Sequence, residues 1–343
     1  MLLVDFINVG YGDAILVRDT DAAFSMLVDC GDITVGDIAP GSRRITAADF
    51  LRQEGIQTLD LLVLTHLHRD HSGGLTQLLE AVRVKEFWCS YLPGHAYWGR
   101  QVPVEKHFSA GARCLLESMN IYLSALKAME AQGTAFRLIE HSLPPLDLTP
   151  ALRAEVYLED RSLFRRQWEI WQNVLDGAAD GTQLDELDGF INNTSIRMRL
   201  VCGDTSVELP GDVYAACWEK HDLSPCTIMK LPHHGHRDSI TPKLLEMLSP
   251  QHVVISVSNS RTDDCPSSSA LEAVLARGCK LHITDAVKKE SFLPPPTLLC
   301  TSRQKLEANS EKSEEDPHET CMLFGARTPP GHAVFRVCSC RSR

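Results

Sequence analysis

The stretch His66-Leu67-His68-Arg69-Asp70-His71 sets the narrowest limits on this chain. It puts three imidazoles and a carboxylate within six residues, directly after the apolar run Leu61–Leu64 and before Ser72-Gly73-Gly74. A solvated loop has no need of such a pattern, whereas imidazole nitrogen and carboxylate oxygen are the donors that borderline divalent metals take. On an extended backbone alternate side chains share a face, so His66 and His68 point the same way. Asp70 and His71 then turn toward a neighbouring position, and one short loop can serve two ions. Gly73 and Gly74 let the backbone pack closely where a helix over 75–82 begins.

The same grammar, an apolar strand that stops at a small polar residue, recurs along the chain. Leu2–Asn8, Asp13–Arg18 and Phe24–Val28 read as strands separated by turn signals at Gly10, Gly12 and Asp19–Asp21. The third of these runs into Asp29-Cys30-Gly31. Further strands are expected over 195–201, over 206–209 ending in Pro210-Gly211-Asp212, and over 227–231 ending in Pro232-His233-His234-Gly235-His236. Strands over 252–257 and 281–283 end in Ser258-Asn259-Ser260 and Thr284-Asp285. Short strands mixed with helices make an α/β sandwich, and in such folds sites gather at strand ends. Helical periodicity over 104–131 and 162–175 carries no motif and reads as a cap or insertion over one face.

Composition bounds the function. With 43 % apolar residues in 343, the chain can bury one sizeable core. A net charge of −11 excludes a protein that holds DNA by bulk charge. No run reaches the roughly 18 apolar residues of a membrane span, and the start MLLVDFINVGYGDAILV lacks the basic and small-residue marks of a signal peptide. The 12 cysteines contain no CxxC, only Cys338 and Cys340 as CxC, so they read as reduced, mostly buried thiols of a cytoplasmic protein.

Two more candidates complete a two-metal site. Asp212 follows a strand and a glycine, where its carboxylate could bridge both ions. His233 and His234 also follow a strand. One would cap the second ion and the other would support a ligand from behind or contact substrate, and the sequence leaves open which is which.

At these residues the chain resembles the metallo-β-lactamase superfamily, whose HxHxDH signature looks like Thr65-His66-Leu67-His68-Arg69-Asp70-His71-Ser72-Gly73-Gly74. Within it the chain most resembles the metallohydrolase domain of ComEC-type DNA-uptake proteins. Val9-Gly10-Tyr11-Gly12-Asp13-Ala14 looks like V-G-Q-G-D-[AS], and Val28-Asp29-Cys30-Gly31 looks like the D-x-G turn. Asn192-Asn193-Thr194-Ser195 looks like N-N-x-S, Leu209-Pro210-Gly211-Asp212 like L-x-G-D, and Lys230-Leu231-Pro232-His233-His234-Gly235 like K-x-x-H-H-G. The likeness spans about residues 3–287 with insertions. ComEC itself carries membrane segments, so only its hydrolase module is resembled, and a role in DNA uptake does not follow.

The resemblance implies a four-layer αβ/βα sandwich with helical insertions and two divalent ions at one edge, zinc foremost, with manganese and iron suiting the same donors. It implies that His66 and His68 hold the first ion and Asp70 and His71 the second, that Asp212 bridges, that His233 or His234 completes the second site, and that Asp29 braces the ligand loop. It divides the chain into a hydrolase domain, 1–290, with insertions about 100–190, and a proline-rich, acidic segment, 291–343, flexible over 303–320 and ending in a strand at Ala333–Val337.

Three departures from the family pattern stand out. The further histidine expected after the signature helix has only His95 as a nearby candidate. Cys265-Pro266-Ser267 stands where relatives often carry His-Pro-Ser, so Cys265 enters as a soft ligand, a redox liability or a filler. Ser142–Gly189 is longer than a minimal connection and bears on substrate access.

The implied activity is hydrolysis by metal-activated water, with Asp70 orienting the nucleophile and His233 or His234 serving the leaving group. A phosphodiester or phosphoester is the expected substrate, single-stranded nucleic acid being one such, although the acidic balance and 6 % aromatic content weaken that choice. A non-catalytic metal-binding module that regulates or binds a partner is the alternative. An iron redox enzyme is a third class, unsupported by any GxGxxG fingerprint.

Overall fold

Alternating burial along the strands builds two sheets that share an apolar middle. The computed structural model of the protein describes residues 1–36, 42–178, 180–257, 265–285 and, as backbone, 333–337. The acidic stretch over 303–320, the Asn259 strand end, Cys338 and Cys340 lie outside the described residues.

The first sheet contains β1 (Leu2–Phe6), β2 (Ile15–Asp19), β3 (Phe24–Val28), β4 (Thr58–Leu64), β5 (Arg83–Cys89) and β6 (Ala135–Leu138) in sequence order. Its first three strands are antiparallel and β3 to β6 run parallel. The second sheet contains β7 (Leu143–Asp147), β8 (Arg153–Leu158), β9 (Ile196–Cys202), β10 (Thr205–Leu209), β11 (Ile228–Lys230), β12 (His252–Ile255) and β13 (Lys280–Ile283). Here β7 to β10 are antiparallel and β10 to β13 parallel. A last strand, β14 (Ala333–Val337), pairs antiparallel with β1 and extends the first sheet.

Period-two burial decides which residues face which layer. Ile15 and Val17 of β2, Met26 and Val28 of β3, and Leu61 and Val63 of β4 meet Ile196, Met198 and Leu200 of β9 between the sheets. The intervening Leu16, Leu27 and Leu62 face the other way, toward helices. Those helices are α1 (Ala47–Gln53), α2 (Arg69–Ser72), α3 (Leu75–Ala81), α4 (Ala110–Gln132), α5 (Arg161–Leu175) and α6 (Gly181–Phe190). On the far side, α7 (Ala215–Trp218), α8 (Pro242–Leu248) and α9 (Ser268–Ala276) cover the second sheet, with Met229, Val253 and Ile255 facing them. Three apolar interfaces therefore separate four layers, as the sequence predicts.

Within the stretch 100–190, where the sequence reading expects insertions, α4, α5 and α6 pack on the first sheet's outer face and β6, β7 and β8 join the sheets. The predicted helix over 104–131 starts later, at Ala110, because Ser109 caps it by accepting from Ala112 N at 3.0 Å. Asp160 and Asp180 cap α5 and α6 in the same way. Among the described residues no helix is long and apolar enough to cross a membrane.

The parallel strands of both sheets end at one edge. Buried Asp285, just past β13, takes Arg44 Nε at 2.6 Å and Asn8 Nδ2 at 3.3 Å, which ties a second-sheet strand end to first-sheet loops.

Candidate metal centre

The signature loop is built on Asp29, immediately after β3. Its Oδ1 accepts from Thr65 N and its Oδ2 from Thr65 Oγ1, both at 2.8 Å, and Oδ2 also accepts from His71 Nδ1 at 2.7 Å. One carboxylate thus fixes both flanks of the loop and leaves His71 Nε2 to face the site, the arrangement that orients ligating histidines. Asp13 N donates to Asp70 O at 3.2 Å. A side chain on Gly12, at φ +129°, would run into that same Asp70 carbonyl, so the turn requires glycine.

One donor atom each of Asp70, His71, Asp212 and His234 lies within 4.8 Å of the others. Asp212 is the hub. Its Oδ2 is 3.1 Å from His71 Nε2 and 3.4 Å from His234 Nε2. His234 Nε2 is also 3.0 Å from Asp70 Oδ2, and its Nδ1 donates to Ser256 O at 2.8 Å. His66 and His68 stand beside this group, their ring centroids 5.0 Å apart, with His66 4.2 Å from His71. His66 Nδ1 faces the hydroxyls of Thr65 at 3.0 Å and Ser195 at 3.2 Å. Its buried Nε2 has no hydrogen-bond partner among the described residues.

Asp212 Oδ1 accepts from His233 N at 3.0 Å and from Lys230 Nζ at 3.2 Å. Lys230 is fully buried and is also paired with Asp13. The sequence presents Lys230 and Asp13 only as letters of motifs. For Lys230 the signal that could have found it is a charged residue inside an otherwise apolar strand.

The structure separates the two adjacent histidines. His233 and His234 both adopt left-handed backbone, φ 46° and 50°, which is rare for residues with a side chain. The consecutive left-handed residues send the rings apart. His234 joins the donor cluster, and His233 does not: its Nδ1 donates to Asp238 Oδ1 at 2.8 Å and its Nε2 faces Asn192 Nδ2 at 3.3 Å. His95 also stays out, stacked on Trp98 at 3.8 Å and paired with Glu130 at 3.1 Å. Cys265 Sγ lies 3.8 Å from Tyr11 Oη, and the Tyr11 ring packs on His234 at 4.6 Å.

The electrostatics fit a cation. Burial alone would lower both imidazoles, yet Asp212, Asp29 and Asp70 hold His71 well above its ordinary range. Asp212 and Asp70 likewise push His234 up to about 9. Burial opposes ionised Asp70, but His71 and His234 outweigh it and keep its carboxyl well below the usual range. His66 goes the other way, held neutral by burial and by the neighbouring His71 and His68. A neutral imidazole with an orphaned Nε2, beside carboxylates that retain protons on their histidines, is a donor set that divalent ions satisfy.

A pH prediction follows from these shifts. Below about 9, His234 carries a proton that an entering ion must expel. Metal uptake at neutral pH is therefore expected to release protons, and affinity to rise as pH climbs toward about 9. Titration calorimetry in buffers of different ionisation enthalpy reads the release directly; buffer-independent heats would contradict it.

The sequence profile of the metallo-beta-lactamase superfamily matches residues 7–258. The chain belongs to that superfamily. Among solved structures, the metallo-beta-lactamase fold protein YhfI from Bacillus subtilis is similar at 12 % identity and TM-score 0.45, over 83 % of this chain and 97 % of that one. A putative metal-dependent hydrolase from Parabacteroides distasonis is similar at 12 % identity and TM-score 0.43, over 82 % of this chain and 92 % of its own. Human tRNase Z, short form, is similar at 13 % identity and TM-score 0.34, over 76 % and 93 %. No curated protein matches the chain.

Proposed function

We propose that this chain is a binuclear metal-dependent hydrolase of phosphoesters, with small phosphodiesters as its preferred class. The observation that carries this reading is the placement of Asp212 between His71 and His234, beside the orphaned His66 Nε2. Asp70, His71, Asp212 and His234 would hold one ion, and His66 and His68, with Asp212 shared, the other. Zinc, manganese and iron all suit these donors. Bound ions supply Lewis acidity and lower the pKa of water toward neutrality.

The chain's own residues do the rest. Asp70, fixed through its backbone by Asp13, presents its carboxylate beside His234 and would orient the nucleophile. His233 would serve the leaving group. Asp238 accepts from its Nδ1, which fixes the ring and leaves Nε2 for the exchange of a proton with the departing oxygen. His234 has no such freedom, because Ser256 O holds its Nδ1 and its Nε2 belongs to the cluster. The motifs shared with ComEC-type domains favour a phosphodiester, and the net charge of −11 favours a small one over a nucleic acid. Buried reduced thiols at Cys30, Cys89, Cys202 and Cys226 support a cytoplasmic setting.

Zinc- or manganese-loaded protein is expected to hydrolyse bis(p-nitrophenyl) phosphate. Silence on diesters, monoesters and carboxylic esters alike would leave the binding-module alternative. His233→Ala is expected to lower kcat by about 10²–10⁴-fold with metal content unchanged; an unaltered kcat would remove His233 from the chemistry.

A further inference from the structure

In the reading proposed above, on which this inference rests, the first ion has three protein donors, His66, His68 and the shared Asp212, and a further protein donor would add to them. His66 and His68 bring two nitrogens, and Asp212 is shared with the other ion. The remaining described histidines near the sequence motifs are committed elsewhere: His95 to Glu130, His221 to Glu159, and His236 to Asp238. A side chain of another chemistry stands nearer.

We propose that Asp188, on the inserted helix α6, is a ligand of the ion held by His66 and His68. Its Oδ1 lies 3.6 Å from His68 Nε2, on the ring of the signature that is open to solvent, at 20 % exposure. The distance is too long for a hydrogen bond and leaves both atoms available to a third party. The neighbouring helix makes room for the carboxylate. Gly111, at the start of α4, has no side chain, and a Cβ there would collide with the Asp188 carboxylate oxygens. Asp188 also lies close enough to Tyr214 for its charge to act there. Tyr214, whose hydroxyl accepts from Asn192 at 3.3 Å, is pushed up first by burial, with the charges of Asp238, Asp212 and Asp188 adding to it.

A carboxylate in place of an imidazole hardens the first site and tilts it toward manganese relative to an all-histidine set. It also makes that site depend on the insertion: the ion is bound only where α6 is docked on α4.

The test is ion binding by the full chain. Metal-stripped protein is dialysed against buffered free Mn²⁺ and bound metal is counted by mass spectrometry. Wild type is expected to take two ions. Asp188→Ala and Asp188→Asn are expected to keep one and to bind the other more weakly by over about 100-fold, beyond the 10–100-fold typical of an outer hydrogen-bond partner. The asparagine keeps an acceptor for His68 but no charge, so full binding by Asp188→Asn would reduce the residue to a positioning role and overturn the proposal. Gly111→Ala, which displaces the carboxylate without removing it, is expected to weaken the same ion. The retained ion shows that each variant is folded, and loss of both ions would also overturn the proposal, since Asp188 would then act on the fold. Wild type binding fewer than two ions would bring down the binuclear reading itself. Two ions in wild type and in both Asp188 variants would bring down this inference alone.

Discussion

Asp212→Ala is expected to strip the protein of both ions and to cost about 10⁴-fold or more in kcat/KM, the scale seen when residues acting as a unit are broken. The expectation rests on sharing. Oδ2 faces His71 at 3.1 Å and His234 at 3.4 Å, while Oδ1 takes Lys230 and the His233 backbone. Among the neighbouring carboxylates, Asp13 already pairs with Lys230, Asp29 holds the signature loop and Asp70 faces His234 in its own right. Asp212→Asn keeps the shape and loses the charge, so it is expected to fail almost as badly. Metal analysis and turnover on the same preparation check the claim, and a variant that retained two ions would refute the bridging role.

Lys230→Met carries the other large effect, this time on stability. The ammonium is buried without any solvent exposure, with Asp13 and Asp212 against it. Burial lowers its pKa, but the two carboxylates outweigh burial and push it up to about 12. A raised folded-state pKa gives stability that is complete below the unfolded value, near 10.5, and is lost only as pH rises through about 12. The lysine is therefore charged at every working pH, and its removal takes from buried Asp13 its ion-pair partner and from buried Asp212 one of the cations around it, His71 and His234 remaining. The expected loss is about 3–5 kcal/mol in the metal-free protein, smaller once ions are bound, because they supply the missing positive charge. Urea denaturation with and without metal measures both; an unmoved midpoint would show that the acids simply take up protons.

Much of this was legible in the sequence because it rests on local pattern. Period-two apolar runs placed most of the strands that carry the site, and each stops at the polar residue where the structure has it: Asp29, Thr65, Asp212, the histidine pair. The spacing His66-x-His68-x-Asp70-His71 was visible for the same reason. What escaped depends on long-range packing. The choice between His233 and His234 turns on two left-handed residues that no glycine announces. Asp238 and Asp188 are ordinary surface acids until tertiary structure brings them to His233 and His68. Helix α6, with four acids among its residues and its Asp180 cap, was lost in what read as a long connection. The strand β7 was hidden by Pro144 and Pro145, which argue against a strand unless it lies at a sheet edge, as this one does.

The division of the proposed ligands between the sheets has a mechanical meaning. His66, His68, Asp70 and His71 hang from the first sheet, Asp212 and His234 from the second. An ion that holds members of both sets is a rivet across the seam, so whatever separates the layers at this edge must first release it. At a free-metal concentration of a thousand times Kd, each such rivet adds about 4 kcal/mol to the cost of parting the layers. On the proposed reading, metal supply would govern how long the protein lasts as well as whether it works. In metal-poor surroundings the chain would fail first by springing open along the edge where its chemistry is housed.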